Sequence, residues 1–287
     1  MSLVTPDSPT QLAIRAAASI RWAALLHRPV AQAHANAQME PPVTDELFRE
    51  DATLTTCEAR ITCIDERGVQ LERTIFYPLG GGQAGDRGAL ILPDGSDLQI
   101  ADTRKGAQAG EILHVPAAGQ EARLAQISIG QIVHARLDAH RRQRHMRFHT
   151  TTHLLCALIP HPVNGCSITC DYARLDFHMA EPLDKEALTA GLARLVGEAR
   201  AVRQRWIAES ELDANPGLVR SMSVQPPRGL GRVRVIEIEG VDLQPCGGTH
   251  VANTAEIGAV VVTRIEKKSA MTRRVVLAFA EPATIAN

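Results

Sequence analysis

Apolar and polar residues alternate in short runs along the first third of the chain, the period of strands buried on one face. Thr53 to Ile64, the turn Asp65-Glu66-Arg67-Gly68 and the run Val69 to Phe76 together predict a hairpin. Leu90 to Leu92 and Leu98 to Ala101 flank Pro93-Asp94-Gly95, a second hairpin signal. Nothing between Glu46 and Arg136 sustains a helical period, so residues 46–136 are expected to form a small β-barrel. The pattern then changes. Gln131 to Leu137 reads as a strand leading into a helix over Asp138 to Ile159, and Ser167 to Cys170 with Ala173 to His178 as a hairpin. A second helix begins near Asp184, a suitable N-cap, and runs to about Arg200. VRQRWIAE, RVRVIEIE, AVVVTRIE and RRVVLAFA supply further strands. The expected class is α+β: the barrel, followed over residues 137–287 by a domain of antiparallel sheet with covering helices.

Composition adds limits. With 287 residues, 45% of them apolar, and a net charge of −1, the chain has the balance of an ordinary globular protein with material for two domains. It contains no run of eighteen apolar residues, the length a membrane-spanning helix needs. Residues 1–40 differ from the rest: Arg15, Arg21 and Arg28 lie among many alanines with no acid between residues 10 and 38. That is the pattern of a mitochondrial-type targeting segment, or of an upstream reading that precedes a start at Met39. The expected location is cytoplasmic, or mitochondrial if the segment is a targeting signal.

Six cysteines without a secretory signal point to a reducing compartment. Cys57 and Cys63 fall on one expected strand and Cys166 and Cys170 on another, about 13 to 20 Å apart and too far to share a metal. Cys156 lies on the same helical stripe as His149 and His153, but two turns, about 10 Å, separate it from His149. Cys246 is different. His149 and His153 share one face of the expected helix at i and i+4, and Cys246 and His250 repeat that spacing around Gly247-Gly248, where a tight turn lets thiolate and imidazole converge. Three imidazoles and one thiolate are donors that zinc prefers, and the two pairs read as one site for a single Zn²⁺. A zinc peptidase would need a glutamate where Thr150 stands, so that class is excluded.

The most distinctive stretch of the barrel is Phe76 to Gly88, FYPLGGGQAGDRG. Its three consecutive glycines allow close backbone approach to a ligand or another domain, and on bare physics they mark a structural turn. It is neither a dinucleotide fingerprint nor a phosphate loop. FYPLGGGQAGDRG, HTTTH, the strand ARLDF and CGGTHVANTAEIG, in that order, resemble the freestanding alanyl-tRNA editing proteins of medium length. They resemble also the editing domain of alanyl-tRNA synthetases and, more distantly, that of threonyl-tRNA synthetases. The likeness covers roughly Leu47 to the C terminus.

The resemblance implies a zinc-dependent hydrolase that removes serine or glycine from mischarged alanine tRNA, with His149, His153, Cys246 and His250 as its catalytic metal site. It places Gln83 and Asp86 near the interface where the acceptor end is read. Arg174, with Asp176 on the ARLDF strand, is a candidate substrate contact or a plain surface ion pair. Thr150, with Thr151 and Thr152, is a candidate to offer a hydroxyl to a seryl side chain, or to bond back to its own helix. Arg136, Arg141, Arg142, Arg144 and Arg147 cluster within twelve residues ahead of the histidines, a candidate RNA-contacting run or a solvated face. Lys267, Lys268, Arg273 and Arg274 form a second patch. Alanine tRNA is the expected partner, and no protein partner is deducible. Four protein donors make a closed, structural type of site, so catalysis expects one donor, most easily Cys246, to be loosely held. The alternative is a noncatalytic tRNA-binding module with a structural zinc.

Overall fold

The barrel's last strand, Ile132–Leu137, buries every second side chain (Val133, Ala135 and Leu137) and turns its polar residues outward. A computed structural model describes residues 43–226, 228–229 and 231–280; the expected N-terminal extension lies outside the described residues. Six strands, β1 (Thr56–Asp65), β2 (Gly68–Leu71), β3 (Gly88–Ile91), β4 (Asp97–Lys105), β5 (Ile112–Pro116) and β6 (Ile132–Leu137), close an antiparallel barrel in the order β1-β2-β5-β4-β3-β6. Inward residues including Ile61, Leu71, Phe76, Leu90 and Leu98 fill it. Two helical turns escape the sequence reading of this region, Leu47–Arg49 and Glu121–Leu124.

One residue separates β6 from helix α1 (Ala139–Leu158): Asp138 accepts a hydrogen bond from Arg141 N at 3.0 Å and caps it. The second domain then adds β7 (Val163–Ile168), β8 (Ala173–His178), α2 (Lys185–Gly197), β9 (Val202–Ala208), β10 (Arg232–Ile238), β11 (Asp242–Pro245), β12 (Val260–Ser269) and β13 (Thr272–Phe279). The strands form a four-stranded antiparallel sheet, β12-β13-β8-β7, and a three-stranded one, β9-β10-β11. Asp184 caps α2, accepting from Ala187 N at 2.9 Å. α1 and α2 cover the larger sheet through Phe148, Leu154, Leu155, Leu188 and Leu192. Three sequence expectations shift. Cys170 sits in the turn after β7 rather than on a strand, β11 is a strand the pattern did not announce, and Glu209–Ala214 is an additional short helix.

Arg142 corrects the expectation of an RNA-contacting arginine. It is 3% exposed and points into the junction of barrel and helix. Its Nε meets Asp86 Oδ2 at 3.1 Å and its Nη2 makes a closer contact with the same oxygen. The remaining donors reach Ala52 O at 2.8 Å and Ile75 O at 2.6 Å. Asp86, 1% exposed, is likewise withdrawn from any substrate surface and also accepts from Tyr77 N at 2.6 Å. Helical geometry explains the outcome: Arg142 lies on the stripe of His145, His149 and His153, which faces inward.

Burial opposes ionisation of Asp86, but the Arg142 charge and hydrogen bonds, with the His145 ring close by, outweigh it, so the carboxyl sits below its ordinary range. A depressed folded-state pKa contributes stability above the unfolded carboxyl value, about 3.9, and loses it as pH falls through the folded value. Removing one partner leaves an uncompensated buried charge. Arg142→Met is expected to cost about 3–5 kcal/mol in urea unfolding at neutral pH, and less as the pH falls and the Asp86 carboxyl takes up a proton; the same cost at neutral and acid pH would show that the pair does not hold the junction.

Candidate metal centre

His149 and His153, one turn apart on α1, meet the segment that leaves β11. Their side chains and those of Cys246 and His250 bring one ligand atom each to within 4.8 Å of one another. Cys246 Sγ lies 3.4 Å from His149 Nε2 and 3.3 Å from His250 Nε2. Tetrahedral bonds of about 2.0 Å to nitrogen and 2.3 Å to sulfur place ligand atoms about 3.3 to 3.7 Å apart, so the cluster is already close to metal-binding dimensions. The three histidines are 5 to 8% exposed and Cys246 is half-buried.

Each ring has its other nitrogen committed. His149 Nδ1 lies 2.7 Å from Gln83 Oε1, an acceptor delivered from the barrel. His153 Nδ1 lies 2.8 Å from the carboxylate of Asp242 on β11. His250 Nδ1 lies 3.2 Å from Thr150 Oγ1, whose own hydrogen goes to Met146 O at 3.0 Å. An oxygen acceptor at each Nδ1 selects the tautomer that leaves Nε2 free for a cation. The donor set fits a divalent metal: nitrogen and sulfur converge and no carboxylate intrudes.

The charges agree with that fit. Burial opposes ionisation of Cys246, yet the imidazoles of His149 and His250 hold its thiol well below the ordinary range. Burial and the neighbouring His149 push His250 down to about 3. Burial lowers His153 too, but the bonds to Asp242 and Cys246 outweigh it and carry it up to about 10. A thiolate among imidazoles is the ligand form that a cation requires, and the ring protons are what it replaces.

Glycines permit the convergence. A Cβ on Gly248 would stand 2.1 Å from His149 Cε1 and 2.4 Å from Nδ1, so this turn needs glycine for close approach rather than for an unusual backbone angle. In the GGGQ loop, Gly81 and Gly82 have positive φ of 57° and 84°. The loop joins the edge of β7, with Ile168 N donating to Gly82 O at 2.7 Å and Ala84 N to Ile168 O at 2.9 Å. Gln83 is thereby fully buried and held, donating to Thr249 Oγ1 at 3.0 Å while Thr249 N donates to its Oε1 at 3.2 Å. The structural turn and the close approach are one feature.

The other expected site residues are distributed differently. Thr150, Thr151 and Thr152 are buried and give their hydroxyl hydrogens to Met146, Arg147 and His149 carbonyls, leaving none for a substrate hydroxyl. Arg141 reaches Cys170 Sγ at 3.2 Å, Arg144 bonds Cys170 O, and Arg147 bonds Ile257 O at 2.7 Å. The Arg144 and Arg147 guanidinium groups lie over the Phe279 ring at 4.8 and 3.8 Å, so these half-buried arginines brace α1 against the sheet. Arg174 bonds Asp176 at 2.9 Å, and Arg274 shares the same carboxylate. Sequence reasoning missed Asp242. The available signal was its even spacing from Cys246, which puts both on one face of an extended segment.

Two families match this chain: residues 233–276 match the threonyl and alanyl tRNA synthetase second additional domain, and residues 34–141 the class II (A) tRNA synthetases. An alanine–tRNA ligase of Pyrococcus furiosus is 33% identical over 252 residues, 84% of this chain. The chain spans only 26% of that ligase. The alanyl-tRNA editing protein AlaX-M of Saccharolobus solfataricus is 30% identical over 244 residues, 81% of this chain and 98% of the relative. AlaX-M of Methanosarcina acetivorans is 31% identical, over 81% of this chain and 97% of its own length. With a relative matched along nearly its whole length, and with a histidine–cysteine cluster able to hold a metal, the chain belongs to the family of alanyl-tRNA editing proteins and alanyl-tRNA synthetase editing domains.

Proposed function

We propose that this protein is a zinc-dependent hydrolase that removes serine or glycine from mischarged alanine tRNA. The observation that carries the reading is the set of three imidazoles, each fixed through Nδ1, converging with one thiolate on a single point in a chain of the editing family. His149, His153, His250 and Cys246 would hold the ion. Zinc supplies Lewis acidity there, polarising a carbonyl or lowering the pKa of water. An aminoacyl ester is already activated, so positioning and polarisation are enough for hydrolysis.

The residues around the site supply that positioning. Gln83 and Asp242 keep the rings of His149 and His153 from rotating. Arg234, 7% exposed, donates to Cys246 O at 2.7 Å and to Gly248 O at 3.0 Å, so the turn between the two ligands is pinned from behind. Cys246 Sγ is the least restrained donor: the residue is half-buried where the histidines are buried, and among the described residues the one hydrogen-bond donor to it outside the cluster is Gly248 N at 3.4 Å. That freedom favours the catalytic reading over a purely structural ion, which four equally fixed donors would suit.

Wild-type protein is expected to carry one zinc per chain and to deacylate seryl-tRNA(Ala) while sparing alanyl-tRNA(Ala). His149→Ala should lose the zinc and about 10³-fold or more in rate, the several kcal/mol of charge stabilisation a metal provides. Bound zinc with no release of any amino acid would establish the tRNA-binding module instead. Separately, Asp242→Ala is expected to weaken zinc affinity by about 10- to 100-fold in a chelator competition while the fold persists. Gly248→Ala should act on the same measurement more severely, because its new methyl group would overlap the His149 ring; zinc affinity equal to wild type in both variants would contradict the geometry described above.

A further inference from the structure

One face of the three-stranded sheet runs from the metal to solvent. Asp242 on β11 orients His153, and Cys246, four residues on, lies on the same side of the extended segment. Register carries that side across the sheet. Pro245 opposes Val235, so Cys246 continues opposite Arg234, and Cys246 N donates to Arg234 O at 3.2 Å. Arg234 in turn opposes Trp206 on β9. Trp206, Arg234 and Cys246 therefore stand in one row across three strands, and two strand spacings, about 10 Å, separate the indole's strand from the metal ligand.

The two ends of the row differ in surroundings. Arg234 is buried and committed to the ligand turn and to Gln204 Oε1 at 2.9 Å. Trp206 is 48% exposed, large for an indole, and the guanidinium of Arg232 lies 4.7 Å from its ring centroid. Between Cys246 and Trp206 this row carries no carboxylate. A half-exposed aromatic face paired with arginine, rigidly tied to a metal ligand, is the chemistry that stacks an unpaired nucleobase and attracts its phosphate.

We infer that Trp206, with Arg232, forms a stacking platform for an unpaired base at the single-stranded 3′ end of the RNA whose ester enters the metal site. The inference rests on the proposed function for the identity of the RNA. It assigns Trp206 a positioning role: the stacked base fixes where the strand turns toward Cys246, and base identity matters little because every base offers a π-face.

The test uses the two tryptophans of the chain. In a Trp22→Phe background, Trp206 is the sole indole and its fluorescence reports stacking. Uncharged RNA stem-loops with the acceptor-stem sequence of alanine tRNA, with and without the single-stranded 3′ end, serve as probes. The expected result is quenching by the overhanging stem and none by the blunt one. Trp206→Ala is expected to weaken binding of the overhanging stem by about 5- to 100-fold, with Trp206→Phe recovering most of it. Equal quenching by both stems, or unchanged affinity in Trp206→Ala, overturns the platform and leaves the exposed indole to a protein surface. Because the probes carry no amino acid, quenching that persists in a protein unable to deacylate seryl-tRNA supports the platform and overturns only the proposed hydrolase. Deacylation with an indifferent Trp206 overturns only the platform.

Discussion

The contact between Asp86 and Arg142 is the constraint on which the rest of the molecule depends. It joins the loop that leaves the GGGQ turn to the first turns of α1, in a place with almost no exposure to water. An isolated charge there would be prohibitively costly, so each partner is tolerable only with the other in place, and the geometry of the junction is correspondingly sharp. His145, fully buried with Nδ1 3.8 Å from Asp86, extends the polar seam toward His149. The seam fixes the rotation of α1 about its own axis relative to the barrel. That rotation decides whether Gln83 meets His149.

From that rotation the metal centre follows. Once the inward stripe of α1 faces the barrel loop, the Nδ1 edge of the His149 ring meets Gln83 Oε1, and the backbone of Gly248 packs against that same edge. Only a residue without a side chain lets the ligand turn come that near, and the Arg234 guanidinium holds the turn there by its carbonyls. The barrel is thus part of the candidate metal site: one of the three ring-orienting acceptors comes from it.

The architecture and the four side chains that cluster as candidate metal ligands were legible in the sequence because both depend on local spacing. Period-two alternation marks the barrel strands, and two i, i+4 pairs mark the ligands whatever the fold. The supporting residues depend on long-range register and were less legible. Asp242 lies in a segment whose strand character comes from pairing with β10, not from its own residues, VDLQP. The arginine run was read as one cluster, although helical period divides it: Arg142 follows the histidine stripe inward, while Arg141, Arg144 and Arg147 lie on another stripe and brace Phe279 and the turn at Cys170. Of the two readings open for Thr150, a substrate contact or a bond back to its own helix, the structure shows the second, and that bond leaves its oxygen able to accept from His250.

The four donors are not held alike, and the difference has a direction. Each imidazole is fixed by a side chain from a different part of the fold: Gln83 from the barrel, Thr150 from α1 itself, Asp242 from β11. Displacing any one of these elements would unseat a ring, so the three nitrogens record whether the whole molecule is assembled. Among the described residues Cys246 has no such side-chain partner beyond the cluster; it is half-buried where the histidines are buried, at the end of a row that leads across Arg234 to Trp206. The three nitrogens are thus held from outside the cluster by side chains, whereas the sulfur is held by the cluster and by its own turn. The exposed indole and the half-buried thiol lie along one face of the three-stranded sheet, so the strand that carries Trp206 is coupled to the cluster through Arg234, whose guanidinium holds the carbonyls of the Cys246 turn.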